Sequence, residues 1–275
     1  MDMERLTVVV PCKNEASNIE RTIDSIEAVR PSLDVEVGVL MIDDGSTDGT
    51  AAIMKKICAE RPWCRMREQV VNRGLGRTVL NSYHDIPEDH WVTVLPGDNE
   101  LVFASIRNLL ALRHENDLVL GYLQNPVIRT AVRRVASGLF SAVVRFVYGY
   151  PYRYLNGMKL YRAWIFKDLD VISTGHAFNA ELLAKAILRK PDLRIAEAPF
   201  VARGRAGGKT KAFRPKSILI ALRDVFWGYR SVCAYREKVI AEGADDSSPR
   251  ARSNPARPIS APSSPAQAAP AQSKP

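Results

Sequence analysis

Two rhythms of apolar residues alternate along the first half of the chain. Short runs rich in β-branched residues, Leu6 to Val10, Val35 to Ile42 and Trp91 to Leu95, have the length of buried strands. Between them apolar positions return every three or four residues, as in Ile19, Ile23 and Ile26, or Ile53, Met54 and Ile57. That spacing puts one face of a helix against a core. Arg65 to Val71 reads as a further strand, and Gly74-Leu75-Gly76 opens a helix to about Tyr83. A helix from about Phe103 to His114 then leads into a strand from Asp117 to Tyr122. The first helix is expected to begin near Ala16, with Asn14 or Ser17 as its cap. Strict alternation of strand and helix predicts an α/β fold, a mostly parallel sheet with helices on both faces.

The rhythm changes after residue 124. Residues 124–235 read as mainly helical, with short extended pieces near Asn156 to Tyr161 and Leu193 to Val201. Two segments, Val135 to Tyr150 and Ile218 to Tyr229, are amphipathic. Arg145 interrupts the first, and Arg223 with Asp224 the second, so neither offers the roughly 20 apolar residues of a membrane span. From Gly243 to Pro275 Ala, Pro and Ser dominate, a composition that cannot offset its ordering entropy and predicts a disordered tail. The expected division is a catalytic domain over 1–235, with halves at about 4–123 and 124–235, and a tail at 243–275.

A net charge of +9 on 275 residues favours anionic partners. The basic residues are dispersed and form no recognised nucleic-acid motif, which argues against nucleic acid. Cys12, Cys58, Cys64 and Cys233 lack metal-ligand spacing, as do the histidines. Met1 to Leu6 carries Asp2, Glu4 and Arg5, unlike a secretory leader. Reduced thiols and a cytoplasmic location are the expectation.

Chemistry-bearing residues gather where strands end. They are Pro11-Cys12-Lys13-Asn14-Glu15, Asp43-Asp44-Gly45-Ser46, Asn72-Arg73-Gly74-Leu75-Gly76, and the turn Pro96-Gly97-Asp98-Asn99-Glu100. Alone, each also reads as ordinary turn or cap chemistry. In an open α/β sheet, however, ligands bind at the carboxyl ends of strands. Carboxylates at the second and fourth strand ends suit a nucleotide sugar, one end reading base and ribose and the other holding the diphosphate through a divalent cation.

In this order these stretches resemble family 2 glycosyltransferases of the GT-A fold, and within them the polyprenyl-phosphate mannose or glucose synthases. Asn156-Gly157-Met158-Lys159-Leu160-Tyr161-Arg162, Glu197-Ala198-Pro199-Phe200 and Arg205-Ala206-Gly207-Gly208-Lys209-Thr210-Lys211 extend the resemblance to about residue 215. It implies an inverting hexosyltransferase taking a GDP- or UDP-hexose. Pro11, Lys13, Glu15, Ile42, Asp44, Gly97 and Asp98 would bind the nucleotide sugar. Asp98 and Glu100 would hold Mg²⁺ or Mn²⁺, and Asp98, Arg205 and Lys211 would act in catalysis. The family's metal motif is Asp-x-Asp followed by Gln; here Pro96 stands for the first aspartate and Glu100 for the Gln, which leaves metal dependence open. Arg134 and Ser137, three apart on one helix face, form a cradle for a lipid phosphate, or else a solvated arginine beside a small packing residue. The amphipathic helices fit a protein peripheral to the inner face of the cell membrane, or faces buried on the sheet or in a homo-oligomer. Transfer to a soluble or glycan hydroxyl, and a degenerate nucleotide-sugar binder without catalysis, are the alternatives.

Overall fold

The structure, a computed structural model, describes residues 3–125, 131–153, 156–173, 177–203 and 215–245. In chain order the elements are β1 (Arg5–Cys12), α1 (Ile19–Glu27), β2 (Glu36–Asp44), α2 (Thr50–Glu60), β3 (Cys64–Gln69), α3 (Leu75–Ser82), β4 (Trp91–Val94), α4 (Ile106–Leu110), β5 (Leu118–Leu123), α5 (Ala131–Tyr148), β6 (Lys159–Arg162), α6 (Phe178–Arg189), β7 (Ile195–Phe200) and α7 (Pro215–Asp245). The strands form one sheet in the order β3-β2-β1-β4-β6-β5-β7. Every pairing is parallel except those of β6, which runs antiparallel between β4 and β5. The expected α/β sheet is therefore present, and the two extended pieces of the second half are strands within it.

Alternation along the strands feeds two cores. Leu6, Val8 and Val10 of β1 and Val37, Val39 and Met41 of β2 pack with α1, α2 and α4. Val9, Leu40, Ile42, Val92, Leu118 and Leu120 point the other way, against α3, α5, α6 and α7. On that side Tyr83 and Tyr161 share a buried hydroxyl–hydroxyl bond of 2.7 Å. Glu181, wholly buried on α6, pairs with Lys185 at 2.9 Å and accepts bonds from the Ser173 amide and hydroxyl. Gly228 lets α7 lie over this cluster, since a Cβ there would come within 2.5 Å of Ser173 Oγ. Glu181 is thus a structural residue, and removing one partner of such a buried pair leaves an uncompensated charge.

Several expected boundaries shift. β1 and β2 run on to Cys12 and Asp44, because each continues to bond its neighbours beyond the apolar run. α1 starts at Ile19 after Asn18, with no side-chain cap bond; the Asn14 carboxamide instead accepts the Thr47 amide at 2.8 Å. The helix expected to reach His114 ends at Leu110. There the chain tightens, with the Leu112 and Arg113 amides bonding carbonyls three residues back, as Arg113 turns toward Glu4 and Asp34. Gly243 to Asp245, expected in the tail, are the last turn of α7; the remaining tail lies outside the described residues.

Glu4 ties together the edge of the sheet where β1 and β4 begin and the reversed β6 ends. Its carboxylate accepts bonds from Arg113 Nε at 2.8 Å, Arg162 Nη2 at 2.6 Å and Trp91 Nε1 at 3.1 Å. Burial alone would raise its pKa, but these bonds from Arg113, Trp91 and Arg162 outweigh it and hold the carboxyl at about 2, against an ordinary 4.5. A depressed carboxylate stabilises the fold above its unfolded pKa and loses that contribution as pH falls through its folded one. Glu4→Gln is expected to cost roughly 2 kcal/mol at pH 7. In urea titrations the difference from wild type should shrink between pH 4.5 and 2; a constant difference across that range would show that charge is not its source.

Candidate functional site

The carboxyl ends of β1, β2 and β4 lie side by side, and the turn after each carries one of the singled-out segments. Parallel pairing sets Val9 opposite Val94 and Pro11 opposite Ile42. Past the end of β4 the bonding continues, from the Leu95 amide to the Val9 carbonyl at 2.9 Å and from the Gly97 amide to the Pro11 carbonyl at 3.1 Å. The acidic turn is thus strapped onto the end of β1. Thr22 of α1 fixes it from behind, donating its hydroxyl to the Gly97 carbonyl at 3.0 Å.

Gly97 is required here by space. A Cβ at this position would stand 2.5 Å from Cys12 Sγ. The Cys12 thiol is buried, and burial pushes its pKa far up; the carboxylates of Glu15, Asp43 and Asp98 push it the same way. Burial first, and then the carboxylates, keep this thiol protonated and inert. In the turn itself Asp98 Oδ1 accepts the Glu100 amide at 3.0 Å, and Asn99 takes a left-handed φ of 54°. Arg203, just after β7, closes the turn from outside: its guanidinium donates to Asn99 Oδ1 and its amide to the Glu100 carbonyl at 2.6 Å.

The loop after β1 is knitted to the loop after β2. The Asn14 amide donates to Ser46 Oγ at 2.9 Å, the Glu15 amide to Thr50 Oγ1 at 2.9 Å, and the Ala16 amide to Asp48 Oδ2 at 3.3 Å. Lys13 is exposed and Glu15 half-buried at this edge. Asp44 is only 5% exposed, and its two oxygens accept the Arg73 and Gly74 amides at 2.7 and 3.0 Å. The expected base or ribose ligand is thus first a clamp that seats the loop before α3. Gly45 allows that closure, since its Cβ would meet the Asn72 nitrogen at 2.8 Å. Ile42 is 0% exposed and belongs to the core, so it shapes the edge rather than offering its side chain to a ligand. Gly76 is a packing glycine, pressed against the Phe178 ring.

Asp98 and Glu100 are half-buried oxygen donors at a strand end. That donor set fits a hard divalent cation of the kind that takes one or two carboxylates and completes its shell with substrate phosphates and water. No cluster of three or more His, Cys, Asp or Glu residues arranged for a metal occurs among the described residues. Ser137 is half-buried on α5, whose backbone also carries Arg134; the Arg134 side chain, Arg205 and Lys211 lie outside the described residues. Sequence reasoning passed over Arg203, Asn179 and the side chain of Lys159. The one signal available for Lys159 was a lysine on the same strand face as Tyr161, where alternation calls for an inward residue.

Residues 7–185 match the family described as Glycosyl transferase family 2. Polyprenol monophosphomannose synthase of Mycolicibacterium smegmatis is 25% identical over 242 residues, 82% of this chain and 88% of that protein. Dodecaprenyl-phosphate galacturonate synthase of Rhizobium johnstonii is 24% identical over 210 residues, 75% of this chain and 61% of that protein. The chain spans less than two thirds of the length of several such curated relatives. Among solved structures, glucosyl-3-phosphoglycerate synthase from Mycobacterium tuberculosis, in complex with Mg²⁺ and uridine diphosphate, superposes with a TM-score of 0.59 at 21% identity, over 84% of this chain and 80% of that one. That likeness establishes the GT-A fold.

The site geometry makes Gly97→Ala a direct test of the strap. The added methyl must displace Cys12 or the acidic turn, at a cost of about 1–3 kcal/mol for overpacking. Cys12→Ala in the same chain should recover part of the lost melting temperature; no recovery would show that the two residues do not press on each other.

Proposed function

This chain belongs to glycosyl transferase family 2, and from that premise we propose that it transfers the hexose of a GDP- or UDP-hexose to the phosphate of a polyprenyl-type lipid, releasing GDP or UDP. One observation carries the reading: the segments after β1, β2 and β4 lie side by side at the carboxyl ends of adjacent strands, with Asp98 in the turn after β4. Over β1 and β2, the loops of Pro11, Lys13 and Glu15 and of Asp44 would receive the nucleoside. Gly97 and Asp98 would face the diphosphate.

Inversion by direct displacement needs the acceptor oxygen in line with the bond to the leaving diphosphate. A phosphate acceptor is anionic at neutral pH and requires no general base. Rate then comes from orientation and from neutralising the departing diphosphate. A divalent cation held by Asp98 and Glu100 would supply part of that neutralisation. Arg205 and Lys211 would supply more, and Arg205 follows by two residues the Arg203 that holds the acidic turn. Arg134 and Ser137 would guide the lipid phosphate. The catalytic unit is taken as residues 1–235, extended by the remainder of α7.

The outer faces of α5 and α7 support a membrane-surface location. Val135, Leu139 and Phe146, at helical spacing, are 70, 67 and 91% exposed, and Leu222, Phe226 and Tyr229 form a similar stripe on α7. The opposite face of α5, with Val144 and Tyr148, is buried in the core. No helix among the described residues is long and apolar enough to cross a membrane. Apolar stripes flanked by Arg145, Arg223 and Arg230 suit an anionic lipid interface.

Asp98→Ala is expected to reduce transfer at least about 100-fold, with circular dichroism and melting temperature close to wild type, and chelation of divalent cations should lower wild-type transfer. Full activity in folded Asp98→Ala would refute the assignment of Asp98. Phe146→Asp should weaken flotation with phosphatidylglycerol vesicles about 10-fold or more, by removing a large apolar contact; unchanged flotation would count against docking through α5.

A further inference from the structure

The reversed strand β6 brings one more group to the catalytic edge. Its antiparallel pairing sets Val92 against Tyr161 and Trp91 against Arg162, so Lys159, two residues before Tyr161, comes level with Val94 at the end of β4. Lys159 and Tyr161 share a strand face, and both line a cavity of about 80 Å³ beneath the acidic turn. Leu75, Val94, Pro96 and Phe178 provide apolar walls, and Asn179 a polar corner. The volume exceeds the roughly 10–15 Å³ that one water needs.

At that corner Lys159 Nζ donates to Asn179 Oδ1 at 3.1 Å and to the Gly157 carbonyl at 3.3 Å. Asn179 is oriented in turn by its own bond to Asn156 Oδ1 at 2.9 Å. No carboxylate among the described residues lies within ion-pairing distance of Lys159. Every other lysine or arginine drawn into the interior from the strands or α6 has an anionic partner, Arg162 with Glu4 and Lys185 with Glu181. Burial alone lowers the Lys159 pKa, to about 7. A desolvated ammonium held by neutral oxygens is costly unless an anion joins it.

The sheet order indicates which anion. Strands β2 and β1, whose loops would take the nucleoside, lie on one side of β4, and β6 lies on the other. The donor diphosphate belongs over the acidic turn between them. We propose that Lys159, oriented by Asn179, binds the phosphate of the acceptor on the side of the turn away from the nucleoside. This rests on the lipid-phosphate reading above and adds to it a specific cation, one supplied by the sheet itself rather than by α5 or the loop after β7. The apolar walls beside the ammonium suit the first carbons of a chain attached to that phosphate.

The test uses the full chain with Lys159→Met, which keeps the stem without the charge, and Lys159→Arg, which keeps the charge. With a short-chain prenyl monophosphate as acceptor, Lys159→Met should raise the acceptor KM at least about 10-fold while the donor KM stays within about 2-fold. Lys159→Arg should recover most of the loss. The melting temperature of Lys159→Met should equal or exceed that of wild type, because a group serving only the fold would lower it. An unchanged acceptor KM, or a rise in the donor KM instead, overturns the assignment. Calorimetric titration with inorganic phosphate separates this inference from the reading beneath it. If wild type transfers to no prenyl phosphate yet Lys159→Met binds inorganic phosphate at least about 10-fold more weakly, the anion site stands and the lipid acceptor falls. If phosphate binding is equal in both proteins, Lys159 is not the anion site.

Discussion

The continuation of β1–β4 pairing beyond the end of β4 is the constraint on which the site depends. Two backbone bonds, from Leu95 to Val9 and from Gly97 to Pro11, carry the acidic turn over the last residues of β1. That approach is close enough for Gly97 to press on Cys12, and no side chain would fit between them. Once the turn is strapped down, Asp98 joins Glu15 and Asp43 in acting electrostatically on the buried Cys12 thiol. Asp44 then draws in the loop before α3, and Arg203 locks the outer edge. Position at this edge follows from backbone pairing, and the carboxylates inherit it.

The same sheet separates two tasks. Its amino edge is a stabilising cluster in which Glu4 gathers Arg113, Arg162 and Trp91. Its carboxyl edge carries the polar turns after β1, β2 and β4, where an open α/β sheet places its ligands. β6 takes part in both, with Arg162 at the first edge and Lys159 at the second. A four-residue antiparallel strand thus connects the stabilising cluster to the far side of the acidic turn from β1 and β2.

The family resemblance names residues at the carboxyl ends of the strands, and the structure gives some of them other work. Ile42 and Asp44, named by motif, are occupied by the fold, one as core and one as a clamp on two backbone amides. Gly74 and Gly76, which open a helix in the sequence pattern, serve a left-handed turn and a helix contact with Phe178. A residue within a motif can serve the fold rather than touch a ligand, so motif position by itself does not assign a role.

The local pattern of the chain sufficed for the strand–helix alternation, the mostly parallel sheet and the collection of chemistry at strand ends, because burial periodicity and turn residues act over a few neighbours. It also sufficed for the family, since ordered motifs survive at low identity. Helix limits at Ile19 and Leu110 escaped it, because Thr47, Glu4 and Asp34 compete there for groups that a local pattern assigns to the helix. Only the tertiary structure decided that β6 inserts backwards between β4 and β5, since strand order depends on contacts between residues far apart in the chain. That insertion turns Lys159 from an unremarked strand residue into a cation beside the acidic turn.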